Sequence, residues 1–171
     1  PGYLATTRTL TLPFRDKKKI SHIIKYELEP NIPYPIDEVI VDFHLISENT
    51  KGSSALAWAI PKKVISEHLA ILEAVNWEPV SLELDYLSLA NLFLKLYPNI
   101  TEKKQVALVD IGASKTSVLI MGHKNLEFAR SFIKAGDFFT ELISKDLNLP
   151  LNDAEEAKIR GEASIESSLN R

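Results

Sequence analysis

The chain has 171 residues, of which 45% are hydrophobic and 25% charged, with a formal net charge of −3 and no cysteine. Those values fit one ordinary globular domain or two small ones. They exclude disulfides, thiolate metal sites and a global positive field that would attract nucleic acid. No apolar run approaches the length of a membrane span. The first residue is Pro1 rather than Met, so a fragment of a longer protein is expected.

Residues 7–12 alternate, with Arg8, Leu10 and Leu12 on one face, and read as a strand ending at Pro13-Phe14. Asp16 is then expected to cap a helix running to about Glu29, with Ile20, Ile23, Ile24 and Leu28 on its apolar face. Pro30, Pro33 and Pro35 end that helix and stiffen the connection. Val39, Val41, Phe43 and Leu45 line one face of a long strand, and 55–60 returns as its hairpin partner. Pro61 opens a second helix that buries Val64, Ile65, Leu69, Leu72 and Val75. Residues 79–84 alternate again and read as a strand. The order β-α-β-β-α-β is the split βαβ pattern, which carries no function by itself. Ile20, Ile24, Val39, Phe43, Val64 and Leu72 are expected to share one small core within 17–84.

Asp85 is expected to cap the next helix, through Leu87, Ala90, Leu94 and Tyr97, and 99–104 is a polar linker. Beyond it, 105–121 holds two short apolar runs around Gly112-Ala113-Ser114-Lys115-Thr116. Each run reads as a buried strand, and the link between them suits a tight turn. Gly112 lets the backbone approach a ligand closely. The turn amides, with the hydroxyls of Ser114 and Thr116, are placed to donate to phosphate oxygens. Asp110, a carboxylate at the strand end, suits Mg²⁺ held through water. The run is not a P-loop: Ser114 stands where Gly must precede the lysine, and a strand rather than a helix follows. An ordinary hairpin turn fits the same residues. A third strand, 126–133, and a helix from Asp137 come next, with Gly136 just before the helix. Asn152 or Asp153 is expected to cap a last helix. On it, Glu155 and Lys158 lie three apart and read as a surface pair, although both could reach a ribose hydroxyl. The four histidines fall on separate elements without ligand spacing. No nucleophile motif is present. Lys17-Lys18-Lys19 reads as a solvated helix start, with a membrane-surface or partner contact as the alternative.

Together these residues resemble a known family. Leu12-Pro-Phe14, Glu27-Leu-Glu29, Ile32-Pro-Tyr-Pro35 and Asp42 are similar to one region of the PilM family, the actin-like proteins of type IV pilus assembly. Val109-Asp-Ile-Gly-Ala113 with Thr116 resembles its second phosphate motif. Ala135-Gly136-Asp137 resembles its Gly-Gly-Asp, with Ala in the first place. Ala154-Glu155 with Lys158 resembles the helix that contacts ribose and base across actin-like proteins.

The resemblance implies an α/β (α+β) fold: a fragment of the actin, heat-shock chaperone and sugar kinase superfamily with an inserted α-β-β-α-β subdomain. It divides the chain into 1–16, the end of the first actin-like subdomain; 17–84, the insertion; 85–103, a return helix; and 104–171, the start of the second subdomain. It implies ATP and Mg²⁺ in the full-length parent, held by Asp110, Gly112, Ser114, Thr116, Gly136, Glu155 and Lys158, with little or no turnover. It places the first phosphate hairpin before Pro1 and the adenosine-binding stretch after Arg171, so the fragment alone is expected to be inactive and to bind no ATP tightly. It implies a cytoplasmic scaffold at the bacterial inner membrane, reached through the N-terminal tail of a PilN-like membrane protein, with self-association a further expectation and no nucleic acid. The proline-rich bend 31–36 suggests that the tail meets Leu12, Phe14, Tyr34 and Ile36, because a stiff bend loses little entropy on binding; the alternative is that Tyr34 and Ile36 pack under the domain's own helix. The alternative is the cytoplasmic scaffold of type II secretion, GspL, which binds the secretion ATPase without using nucleotide; the intact Asp110-Ile-Gly112 and Thr116 favour the pilus protein. A sugar-kinase-like enzyme is disfavoured, since no residue offers a catalytic base.

Overall fold

The computed structural model describes residues 2–161, the side chains of Thr101 and Lys103 excepted. Pro1 and the polar stretch 162–171 lie outside the described residues. The chain divides into two compact units, one of residues 1–108 and 118–130, the other of 109–117 and 131–171.

In the first unit, β1 (Thr6–Leu12), β2 (Val39–Asn49) and β3 (Gly52–Pro61) form an antiparallel sheet in the order β1-β3-β2. The central strand explains the two faces. Ala55, Ala57 and Ala59 point one way, and their small side chains let α1 (Lys17–Leu28) lie close. Ile20, Ile24 and Leu28, at helical spacing, bury there with Leu12 and Val39. Each such side chain contributes roughly 2 kcal/mol of burial. Asp16 caps α1, its carboxylate accepting from the amides of Lys18 (2.8 Å) and Lys19 (3.4 Å). Leu56 and Trp58 point the other way and meet Tyr86 and Ala90 of α3 (Asp85–Leu96). Leu119, Met121, Leu126 and Ala129 complete that core.

Four expectations are corrected. Residues 79–84 form no strand. They have no ladder partner among the described residues, the backbone bends at Val80, and that residue is wholly exposed. Alternation predicts a strand only where another edge is present to bond it. The element order within 17–84 therefore reads α-β-β-α. Second, α2 (Lys62–Glu73) buries none of its residues, so Val64 and Leu72 lie outside the core; Val64 lines a groove described below. Third, Asp85 lies in the first turn of α3 rather than at its cap, where its carboxylate accepts from the amides of Gly2 (2.8 Å) and Tyr86 (2.9 Å). Fourth, Asn152 and Asp153 also fall in a first turn, because α6 (Leu151–Arg160) starts directly after Pro150.

A short helix, α4 (Ile100–Lys103), precedes a second three-stranded sheet, β4 (Val106–Ile111), β5 (Thr116–Gly122) and β6 (Asn125–Phe132), in that order. His123 and Lys124 turn β5 into β6 with φ of 49° and 58°, the left-handed pair that suits the twist of a two-residue hairpin. Next to this turn, Asn125 donates to the carbonyls of Leu45 and Ile46 at 2.9 Å each. The ladder of β2 and β3 slips between Leu45 and Ser47, and a bulge leaves such carbonyls without strand partners. The second unit holds the β4–β5 turn and α5 (Gly136–Leu147), which packs on α6 through Ile143, Ala154 and Ala157.

Candidate functional site

The β4–β5 turn is closed by the Gly112 amide on the Lys115 carbonyl at 2.9 Å. The turn is also latched to α5. The amides of Gly136 and Asp137 donate to the carbonyls of Gly112 (3.0 Å) and Ala113 (2.8 Å). A helix start offers unpaired N–H groups that suit an anion, but here the turn itself engages the first two. A Cβ on Gly136 would stand 3.3 Å from the Gly112 oxygen, so this approach favours glycine. Ala135, in place of the family's first glycine, is buried and extended at φ −157°, where alanine is unstrained.

Asp110, Gly112 and Ser114 are exposed. Asp110 has no side-chain hydrogen bond or ion pair among the described residues. Thr116 is buried, and its hydroxyl donates to the Lys134 carbonyl at 2.7 Å. A phosphate at this turn would therefore meet the Ser114 hydroxyl, not that of Thr116. No group of three or more His, Asp or Glu is positioned to cage a metal among the described residues. One exposed carboxylate beside a glycine turn suits Mg²⁺ held through its water shell and shared with phosphates.

Glu155 and Lys158 do pair, at 2.5 Å, but not as an isolated surface couple. The Lys158 ammonium also donates to the Gly136 carbonyl (3.1 Å) and to the Thr140 hydroxyl (2.7 Å), while Thr140 bonds Glu155. Gly136, Glu155 and Lys158 thus converge, and Thr140 joins them. Sequence reasoning passed over Thr140. Its signal was position: four residues after Gly136, on the face that α6 covers. The Lys158 bond, then the Thr140 bond, holds the Glu155 carboxyl below its ordinary value. A depressed folded value stabilises above the ordinary carboxylate pKa, and that contribution is lost as pH falls through the folded one. Acid should therefore shrink the stability gap between wild type and Glu155→Gln, a modest effect for a carboxylate nearly half exposed. Thr140→Val should cost about 1–2 kcal/mol, because it leaves Lys158 and Glu155 each one partner short. Urea unfolding at several pH values measures both; a mutant matching wild type throughout would remove the network from the account.

Of the residues expected to meet a partner, Leu12 is 1% exposed and belongs to the core, since its strand pairs it with Ser53 under α1. Ile36 packs on the same core. Phe14 and Tyr34 are exposed. The larger apolar opening in the first unit lies elsewhere. A groove of about 770 Å³ is walled by Ile40 and Trp58 of the sheet, Val64 and Ile65 of α2, and Val80 and Leu82 of the segment 79–84.

The family model of the type IV pilus assembly protein PilM matches residues 6–169. The chain belongs to the PilM family. Its fold is similar to that of a chain in a solved structure entitled "PilM-PilN type IV pilus biogenesis complex", with a TM-score of 0.80 and 25% sequence identity. The match covers 98% of this chain and 50% of that one, so the chain spans half the length of the protein it resembles. The PilM fold is thus present in part, as an actin-like α+β arrangement with two antiparallel sheets. Among the described residues, no helix is long and apolar enough to cross a membrane.

Proposed function

We propose that the parent protein is a cytoplasmic scaffold of type IV pilus assembly, held at the inner membrane by the N-terminal tail of a PilN-like partner. The observation that carries this reading is the apolar groove beside the segment 79–84. Val80 and Leu82 there are exposed, and the segment has no ladder partner among the described residues. An apolar groove beside exposed apolar side chains suits a bound peptide, with pockets for its side chains. Family membership and the complex named above supply the partner. The insertion, 17–84, provides most of the groove in this reading.

The same proposal gives the full-length parent an ATP site with little turnover. Asp110 would hold Mg²⁺ through water, and Gly112 and Ser114 would receive phosphate. Bound Mg²⁺ would neutralise phosphate charge. Gly136, Glu155 and Lys158 would form the adjoining nucleoside face, and Thr116 would brace the turn from beneath.

Calorimetric titration of this chain with a synthetic PilN N-terminal peptide tests the partner reading. Saturable binding is expected, weakened at least tenfold by Val80→Asp, since a buried unpaired charge costs more than the 1.4 kcal/mol that tenfold represents. If Tyr34→Ala abolishes binding and Val80→Asp does not, the bend 31–36 is the seat instead.

A further inference from the structure

We infer that the start of α1 is a second, direct contact with the membrane: a cationic patch of Arg15, Lys17, Lys18 and Lys19 that binds anionic lipid headgroups. It rests on the proposal that the protein works at the inner membrane, and goes beyond it, because there the membrane is reached only through a partner. Between Arg15 and Lys25 lie five cations and one carboxylate, in a chain whose formal net charge is −3. That one carboxylate, Asp16, is engaged in capping the helix. All four patch cations are exposed, and none has a carboxylate partner among the described residues.

Their position is unfavourable for the helix itself. Three lysines occupy its first turn, which holds no acidic residue, so they face the positive end of the helix dipole. Folding alone would select acids there. Phe14, 39% exposed, stands at the edge of the patch, where an aromatic ring suits the headgroup boundary. Glu27 and Glu29 lie at the far end of the helix and would hold that end away from an anionic surface. The contact is therefore confined to the first turns. A cationic helix start is drawn to an anionic plane at close range even where long-range attraction is absent.

Co-sedimentation tests this. The chain is mixed with vesicles of phosphatidylcholine alone, or of phosphatidylcholine and phosphatidylglycerol in equal parts. Binding is expected only to the second, weakening as salt rises. Changing Arg15, Lys17, Lys18 and Lys19 to Gln, with Asp16 kept, should lower binding about fivefold per charge removed. The same variant should melt about 2 °C higher, because the dipole conflict is relieved. Equal binding to both vesicles, binding indifferent to salt, or a variant that sediments like wild type would overturn the inference. Preferential capture of polyglutamate over anionic vesicles would overturn it too, assigning the patch to an acidic protein. The variant should bind the PilN peptide as wild type does. No peptide binding by the wild-type chain, with its vesicle binding intact, would sink the partner proposal and leave the lipid contact standing.

Discussion

Gly52→Ala should destabilise the protein by about 3–5 kcal/mol, or prevent folding altogether. Gly52 sits at φ 151°, a backbone conformation that side chains rarely adopt. A Cβ there would stand 2.0 Å from the Leu12 carbonyl oxygen and 3.0 Å from the Pro13 Cα. Neither neighbour can yield cheaply. Leu12 is core, paired with Ser53, and Pro13 is rigid. Strained backbone costs about 1–3 kcal/mol, and overpacking adds about as much again. For a chain of this size the melting point should fall by roughly 10 °C. Thermal unfolding monitored by circular dichroism measures it. A midpoint unchanged from wild type would mean that β1 does not cross Gly52 as described.

Asp110→Ala should weaken Mg·ATP binding by the full-length parent about tenfold to a hundredfold, the range for losing a hydrogen bond to a charged group. Asp110 is exposed, stands two residues before Gly112 and has no internal ion partner among the described residues. Its removal should therefore cost little stability, which separates a ligand role from a structural one. Calorimetry with and without Mg²⁺ gives the measurement. Equal affinity in wild type and mutant would end the assignment of the metal to this carboxylate. Loss of affinity that persists without Mg²⁺ would do the same.

Much of this architecture is legible in local sequence. Asp16 with Ile20, Ile24 and Leu28 announces α1 because capping and helical spacing are short-range effects. The glycine turn between two apolar runs announces β4 and β5 for the same reason. What is not legible depends on partners distant in the chain. Residues 79–84 carry a strand pattern but have no edge to join. Leu12 resembles an exposed docking residue until pairing with Ser53 puts it under α1. Thr140 acquires its role only when α6 packs on α5 and brings Glu155 and Lys158 to it. Asp85 has the chemistry of a cap, yet α3 starts one residue earlier, and its carboxylate serves the Gly2 amide.

The chain's two tryptophans give the most direct test of the central proposal, that a PilN-like peptide lies in the groove. Trp58 lines the groove at 7% exposure, whereas Trp77 is 70% exposed. In a Trp77→Phe variant, only Trp58 reports. Titrating the PilN peptide into it should shift the Trp58 emission and saturate, as the peptide replaces the groove-side surroundings of the indole. Val80→Asp in the same background should suppress that shift. Binding by calorimetry without any change at Trp58 would contradict the account and place the partner on another face.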